Sequence, residues 1–241
     1  GGEPLKNAPV ENCANLAFSF LTGAMDEGFY RNKLTGYTKT AFDSLQAKYV
    51  GRLMNHSADS LFRHRIELIP NCGHSIDYSL TTPWLKTYKR NPYPHTFLWE
   101  DYPMDGQHRL GFYNLHVLQR PKAADGLKDT SGEDRDYYEM DIKDNVIRLS
   151  VKKVTYQTVE RDPVYGIDLK FTKSYHPVIG GKWKIYLNDQ LVDMNKPITI
   201  FINDRKAFEG KLVPRMEDMM TSCMEYFDPC RVFPASVDVA L

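Results

Sequence analysis

Two residues that lie far apart in the sequence, Asp26 and His74, are of the types that transfer protons. Histidine titrates near neutral pH, so a turn that exposes its ring suits general-base catalysis. A carboxylate that hydrogen-bonds one ring nitrogen holds the ring in one tautomer, as in a nucleophile–histidine–acid triad. The sequence predicts such a histidine–acid pair, provided that the fold brings the two turns together.

The segments around these residues predict the order strand, turn, helix, strand, turn, helix. The apolar runs 15–22 and 62–69 are typical of strands, and each is followed by one of the two turns. Apolar residues recur with helical spacing over 29–49. A crossover of this length makes the two strands parallel neighbours. Both turns are then expected at the carboxyl ends of the strands, where α/β sheets place their sites.

Glycine and proline mark the turn that carries His74. Gly73 predicts a sharp turn, because a residue without Cβ tolerates positive φ. Thr82-Pro83 predicts the cap and first position of a short helix, where the missing N–H of proline costs nothing. The alternative is that His74 is an ordinary surface or capping histidine.

Two further carboxylates are alternatives to Asp26 as the acid. Glu27 is adjacent in sequence, but a carboxylate so close to a helix start also serves the helix dipole. Asp77 is close to His74 in sequence and is expected to cap the following turn instead.

The motifs Gly23-Ala24-Met25-Asp26 and Gly73-His74 resemble, in order and spacing, the last third of an α/β-hydrolase of the prolyl-oligopeptidase and dienelactone-hydrolase type. In that family a Gly-x-x-Asp turn supplies the triad acid and a later Gly-His turn supplies the histidine. The runs 74–94 and 193–211 resemble one secreted bacterial branch with a small β domain. The resemblance implies an esterase or peptidase acting through an acyl-enzyme, with His74 as base and Asp26 as acid. It also implies an ester or peptide substrate, a periplasmic or secreted location, and no metal or organic cofactor.

The nucleophile of that family is missing from this sequence. No Gly-x-Ser-x-Gly motif occurs in the 241 residues, although the serine should precede the acid. Gly1-Gly2 looks like a tag-cleavage scar, so we interpret the chain as the C-terminal part of a longer hydrolase, inactive by itself. The alternative is a non-catalytic module that binds carbohydrate or protein.

Composition shifts predict two domains and the fold class α/β plus all-β. We expect a partial α/β-hydrolase sheet over 1–120 and an immunoglobulin-like β-sandwich over 121–241, divided by the charged, apolar-poor stretch 119–136. Short strands and hairpin turns fill the second half. The aromatic residues of 95–118 are expected to pack on the hydrolase sheet. The helix predicted at 215–227 carries a methionine stripe, which we interpret as core.

Bulk properties exclude several classes of partner. The formal net charge is zero, which implies no attraction to nucleic acid or anionic membrane. No apolar stretch approaches the ~20 residues that span a bilayer. The four cysteines lack metal-site spacing; Cys223 and Cys230 could form a disulfide or remain free thiols. A sheet truncated at the strand with Leu16, Phe18 and Phe20 predicts a homo-oligomer formed through that surface.

Overall fold

The computed structural model describes residues 5–49, 61–103, 105–124, 126 and 134–241. Gly1-Gly2, interpreted above as a cleavage scar, lies outside these ranges. The chain is rich in β-structure, with 40% of residues in strands and 19% in helices. It divides into two compact units, formed by residues 1–90 with 156–174 and by residues 91–155 with 175–241.

The first unit contains a parallel two-stranded sheet and the helix that connects its strands. Its elements are, in chain order, a 3₁₀ turn at Val10–Cys13, β1 (Phe18–Gly23), a 3₁₀ turn at Gly28–Tyr30, α1 (Arg31–Tyr49), β2 (His64–Ile69) and α2 (Thr81–Leu85). β1 and β2 pair in parallel from Phe18 opposite His64 to Gly23 opposite Ile69. The predicted order of elements and the parallel pairing are therefore confirmed.

Apolar residues at helical spacing attach α1 to this sheet. Leu34 and Phe42 are fully buried, and the Phe42 ring stacks on Phe18 at a centroid distance of 4.9 Å. Phe62, just before β2, packs edge-on against the other side of Phe42. Burial of these side chains, at ~1.5–3 kcal/mol each, fixes the helix over the strands.

The second unit consists mainly of two sheets. Its elements are β3 (Thr96–Asp101), β4 (Gly111–Phe112), β5 (Leu115–Gln119), β6 (Lys122–Ala123), β7 (Arg135–Lys143), β8 (Val146–Arg161), β9 (Asp168–His176), β10 (Val178–Ile179), β11 (Lys182–Leu187), β12 (Ile198–Ile202), β13 (Arg205–Gly210), α3 (Met216–Tyr226) and β14 (Ala235–Ala240). One sheet has the order β13-β12-β8-β7-β3, with β9 also paired to β8, and the other has the order β14-β11-β5-β4. β6 and β10 form a separate two-stranded pair. The later part of β8 (156–161) and the earlier part of β9 (168–174) lie in the first unit's share of the chain.

One hydrophobic core joins the two main sheets. Phe97, Trp99 and Tyr138 contribute from the first sheet, while Trp183 and Ile185 contribute from the second. The Trp99 and Tyr138 rings stack at 4.9 Å. β12 pairs with β8 in parallel, whereas β7 pairs with β8 in antiparallel fashion. The unit is thus a β-sandwich with one parallel strand pair.

The predicted domain boundary at residue 120 needs correction. β3 pairs with β7 residue by residue, from Thr96 opposite Asp141 to Asp101 opposite Asp136. Residues 91–120 therefore belong to the sandwich, and their aromatic side chains pack in its core rather than on the β1–β2 sheet. The stretch 119–136 had marked a boundary by composition, but it connects strands within one unit.

The interpretation of the α3 methionines as core is also wrong. Met216, Met220 and Phe227 are exposed, and the buried side chains of this helix are Asp218 and Ser222. Cys223 and Cys230 are both free and exposed, so the disulfide considered for them is not formed.

Ion pairs tie the leader, which is the described N-terminal segment 5–14, to residues 156–174 within the first unit. Lys6 Nζ lies 3.2 Å from Asp168 Oδ2, and Lys173 Nζ lies 2.6 Å from Glu11 Oε1. All four side chains are nearly buried, so solvent screens these pairs less than surface pairs. Among the described residues, no helix has the length and apolar character needed to cross a membrane.

Candidate active site

The turns that follow β1 and β2 approach each other at the carboxyl ends of the strands. The Ala24 amide donates to Ile69 O and the Met25 amide donates to Cys72 O, both at 2.9 Å. A Cβ on Gly23 would lie 1.9 Å from Gly73 O, well inside contact distance. Gly23 is therefore required by the close approach of the two turns.

Asp26 and His74 meet across these turns. His74 Nδ1 lies 2.9 Å from Asp26 Oδ2, so the two side chains predicted to pair are within hydrogen-bond distance. The carboxylate is 8% exposed and the imidazole side chain is 77% exposed. Nδ1 donates to an ionised Asp26, so Nε2 carries the lone pair, and no described residue is bonded to it. The pair thus presents a basic nitrogen to solvent.

Arg31, in the first turn of α1, holds the Asp26 carboxylate from the other side. Its Nε donates to Oδ2 at 2.9 Å and its Nη2 donates to Oδ1 at 2.7 Å, a bidentate arrangement. The Arg31 hydrogen bonds, followed by that of His74, lower the pKa of Asp26 to about 2, against an opposing effect of burial. Asp26 is therefore ionised at neutral pH and remains an acceptor for His74.

The backbone between Asp26 and Arg31 is strained. Phe29 and Tyr30 both have positive φ, 51° and 57°, which is rare for bulky residues. Two contacts from the same unit hold this turn: Tyr30 Oη donates to Asp162 Oδ1 at 2.8 Å, and the Phe29 and Tyr165 rings lie 4.7 Å apart. Such conformations persist where the surroundings over-determine them. The segment 156–174 thus supports the turn that places Arg31 against Asp26.

The His74 turn differs in one detail from the prediction. The residue with left-handed backbone is Asn71, with φ 57°, and not Gly73. Asp77 accepts hydrogen bonds from the Ser79 amide and the Ser79 hydroxyl, both at 2.8 Å, so it caps this turn as expected. The Ser79 amide is the main cause of the lowered pKa of Asp77.

The alternative acid Glu27 lies exposed, whereas Asp26 holds the histidine ring. Other histidines also pair with carboxylates: His64 with Asp43, His108 with Asp101, and His116 with Glu225. Their side chains are only 9% to 22% exposed. Histidine–carboxylate pairs therefore recur in the described part of the chain, and among these four pairs only the Asp26 pair has a ring that is mostly open to reactants.

Sequence reasoning missed Arg31 as the second partner of the acid. Its position five residues after Asp26, at the start of the predicted helix, was the available signal. Among the described residues, no group of three or more His, Cys, Asp or Glu side chains is placed to hold a metal ion. The arrangement can hold an imidazole in one orientation, with its Nε2 open to solvent.

No family model matches the chain, and no curated protein or solved structure matches it either. The assignment of a function therefore depends on the geometry around Asp26, His74 and Arg31.

Proposed function

We propose that this chain is part of a serine hydrolase, an esterase or peptidase, in which His74 is the general base and Asp26 orients it. The observation that carries the proposal is the 2.9 Å hydrogen bond between His74 Nδ1 and Asp26 Oδ2, formed by residues 48 positions apart. β1 and β2 would belong to the carboxyl-terminal part of an α/β-hydrolase sheet. The sandwich would be an accessory domain of immunoglobulin-like character.

Each group has a defined part in acyl transfer. Nε2 of His74 takes the proton from a serine hydroxyl as the serine attacks the substrate carbonyl, and returns it to the leaving group. Asp26 stabilises the imidazolium that forms, and Arg31 keeps Asp26 ionised. Water then attacks the acyl-enzyme, with His74 again as base.

The proposal places the serine outside this sequence, because the 241 residues contain no Gly-x-Ser-x-Gly motif. The exposed imidazole is consistent with this requirement, since a nucleophile and a substrate must both approach Nε2. The proposal therefore predicts that the 241-residue chain shows no hydrolysis of activated esters above background.

The test reads the natural gene upstream of the codon for Glu3 and assays the full encoded protein. We expect a Gly-x-Ser-x-Gly motif, labelling of its serine by a fluorophosphonate, and saturable ester or peptide hydrolysis. His74→Ala should abolish both, and Asp26→Asn should lower kcat by up to ~10⁴-fold, as for other triad acids. His108→Ala, which disrupts a different histidine–aspartate pair, is the matched control.

Two results would refute the proposal. One is an upstream sequence without a nucleophile, which would favour a binding module. The other is saturable turnover by the 241-residue chain itself that His74→Ala abolishes, which would mean that the nucleophile lies within this chain.

A further inference from the structure

Sulfur-bearing side chains are concentrated on the outward face of α3. Four of the nine methionines, together with Cys223, fall within residues 216–224. Met216, Met220 and Met224 are 71%, 60% and 66% exposed, and Cys223 is also exposed. Their spacing of three or four residues places each one helical turn from the next. The outer surface of this helix is therefore a row of thioethers with one thiol.

Polar contacts on the inward face fix this orientation. Ser222 Oγ donates to Asp218 O at 2.7 Å and accepts from the Phe233 amide at 3.0 Å. The Asp218 carboxylate accepts from Arg215 Nε and from Ser236 Oγ, both at 2.8 Å. Rotating the helix to bury the methionines would break the bonds to Phe233 and Ser236 and leave buried polar groups without these partners. Exposure of the sulfur face is thus imposed by the packing of the helix.

We propose that this face binds a soft monovalent metal ion, Cu(I), through Met216, Met220 and Cys223, with Met224 as an additional thioether. Thiolate and thioether ligands select Cu(I) among biological metals, whereas Zn²⁺ takes thiolate, imidazole and carboxylate, and Ca²⁺ and Mg²⁺ take oxygen. Side chains one turn apart have Cβ atoms ~5–6 Å from each other, and methionine has three rotatable bonds with which to converge.

The chemical identity of the exposed side chains favours metal binding over a simple apolar contact. An apolar docking face needs hydrophobic area, which leucine supplies as well as methionine, yet the exposed apolar positions from 216 to 224 all carry sulfur. Binding deprotonates Cys223 and releases one proton per metal ion, with no change in the oxidation state of metal or protein. The resulting thiolate neutralises the charge of the bound Cu(I).

Methyl NMR of the 241-residue protein labelled at the methionine methyl carbons gives a site-specific test. Ag(I), a redox-stable analogue of Cu(I), is added as the nitrate in chloride-free buffer. The methyl signals of Met216, Met220 and Met224 should shift and saturate at one equivalent, while that of Met140, which is fully buried, should not move. Zn²⁺ should leave all of these methyl signals unchanged.

Competition with a chromophoric Cu(I) chelator measures the affinity under reducing conditions. The triple variant Met216→Leu, Met220→Leu, Met224→Leu keeps all four cysteines, so any loss reports the thioethers alone. We expect the Cu(I) affinity of the triple variant to be lower by ~10-fold or more. This is at least the effect of removing a residue that only hydrogen-bonds to a metal ligand. Met194→Leu, which removes a thioether outside α3, should bind like the parent protein.

If the α3 methyl signals of the parent protein do not shift on addition of Ag(I), the proposal is overturned whatever the variants show. A triple variant that binds Cu(I) as tightly as the parent would also overturn it. Retained dispersion of the remaining methyl signals shows that the variant is folded, since leucine preserves helix propensity and apolar character at these exposed positions.

Discussion

Replacing Gly23 by alanine should separate the two turns that carry Asp26 and His74. The added Cβ would lie 1.9 Å from Gly73 O and 2.3 Å from Cys72 O, where ordinary contact begins at 3.4 Å. The turns must therefore move apart by roughly 1.5 Å, because backbone atoms cannot rotate away as a side chain can. The hydrogen bonds that the Ala24 and Met25 amides donate, both 2.9 Å long, would stretch beyond hydrogen-bond length.

The expected loss of stability at the two turns follows from these two hydrogen bonds. A hydrogen bond contributes ~1 kcal/mol net, so the loss of two costs ~2 kcal/mol, or ~30-fold in an opening equilibrium. Native-state amide hydrogen exchange should show this loss of protection at Ala24 and Met25. The ¹⁵N shifts of neutral His74 should also change from the Nδ1–H form towards a mixture of tautomers, because its bond to Asp26 weakens.

Gly36→Ala is the matched control, since nothing lies within 4 Å of the added Cβ in α1. It should stabilise the helix by ~0.5–1 kcal/mol and leave the exchange of Ala24 and Met25 no faster. Gly73→Ala meets no neighbour either and should be tolerated. If the Ala24 and Met25 amides of the Gly23→Ala variant exchanged at the parent rate, the close approach of the turns would not be the reason for glycine at position 23.

Arg31→Met should raise the pKa of Asp26 from about 2 towards its ordinary value of 3.8, because the Arg31 hydrogen bonds are the largest cause of the shift; carboxyl ¹³C NMR titration measures it, and an unchanged pKa would contradict the assignment. In the parent protein, the stabilisation from ionised Asp26 is full above pH ~4 and is lost as the pH falls through about 2, so melting of the first unit should shift in this window, and less so in Asp26→Asn. Glu100→Gln should destabilise the sandwich by ~3–5 kcal/mol in chemical denaturation, because it removes the carboxylate charge that lies 2.9 Å from the fully buried Arg135 guanidinium; a loss below ~1 kcal/mol would contradict this prediction. Self-association through β1 should raise the sedimentation coefficient at micromolar concentration, and a protein that stays monomeric on concentration would refute that prediction.

Much of the first unit could be predicted because its signals are local. Helical spacing over 29–49 and two flanking apolar runs determine a parallel strand pair, and that pairing alone brings Asp26 and His74 together. Arg31 was not predictable from periodicity, since its contact with Asp26 depends on the left-handed turn between them. That turn in turn depends on contacts with residues more than 130 positions away.

The domain boundary and the burial of the α3 methionines were predicted wrongly because composition and hydrophobic pattern do not reveal contacts with residues distant in sequence. Charge density in 119–136 suggested a linker, but strand pairing between β3 and β7 crosses that stretch and places both strands in one sheet. Methionine at helical spacing suggested a core face for α3, yet Asp218 and Ser222 form specific bonds on the opposite face. A hydrophobic pattern does not reveal such polar attachments, which depend on partners distant in sequence.

The discontinuity of the first unit has a consequence for folding during synthesis. Its leader depends on Asp168 and Lys173, which the ribosome adds about 80 residues after the end of the unit's first segment at residue 90. At ~5–20 residues per second, this interval lasts ~4–16 s, much longer than helix or hairpin formation. During that time β1, β2 and α1 exist without the side chains of residues 156–174 that contact the leader and Tyr30 within the unit, and about half of the second unit is made. The nascent chain therefore presents an unfinished first unit to chaperones, and the Asp26–His74 pair acquires its final support only when residues 156–174 have been made.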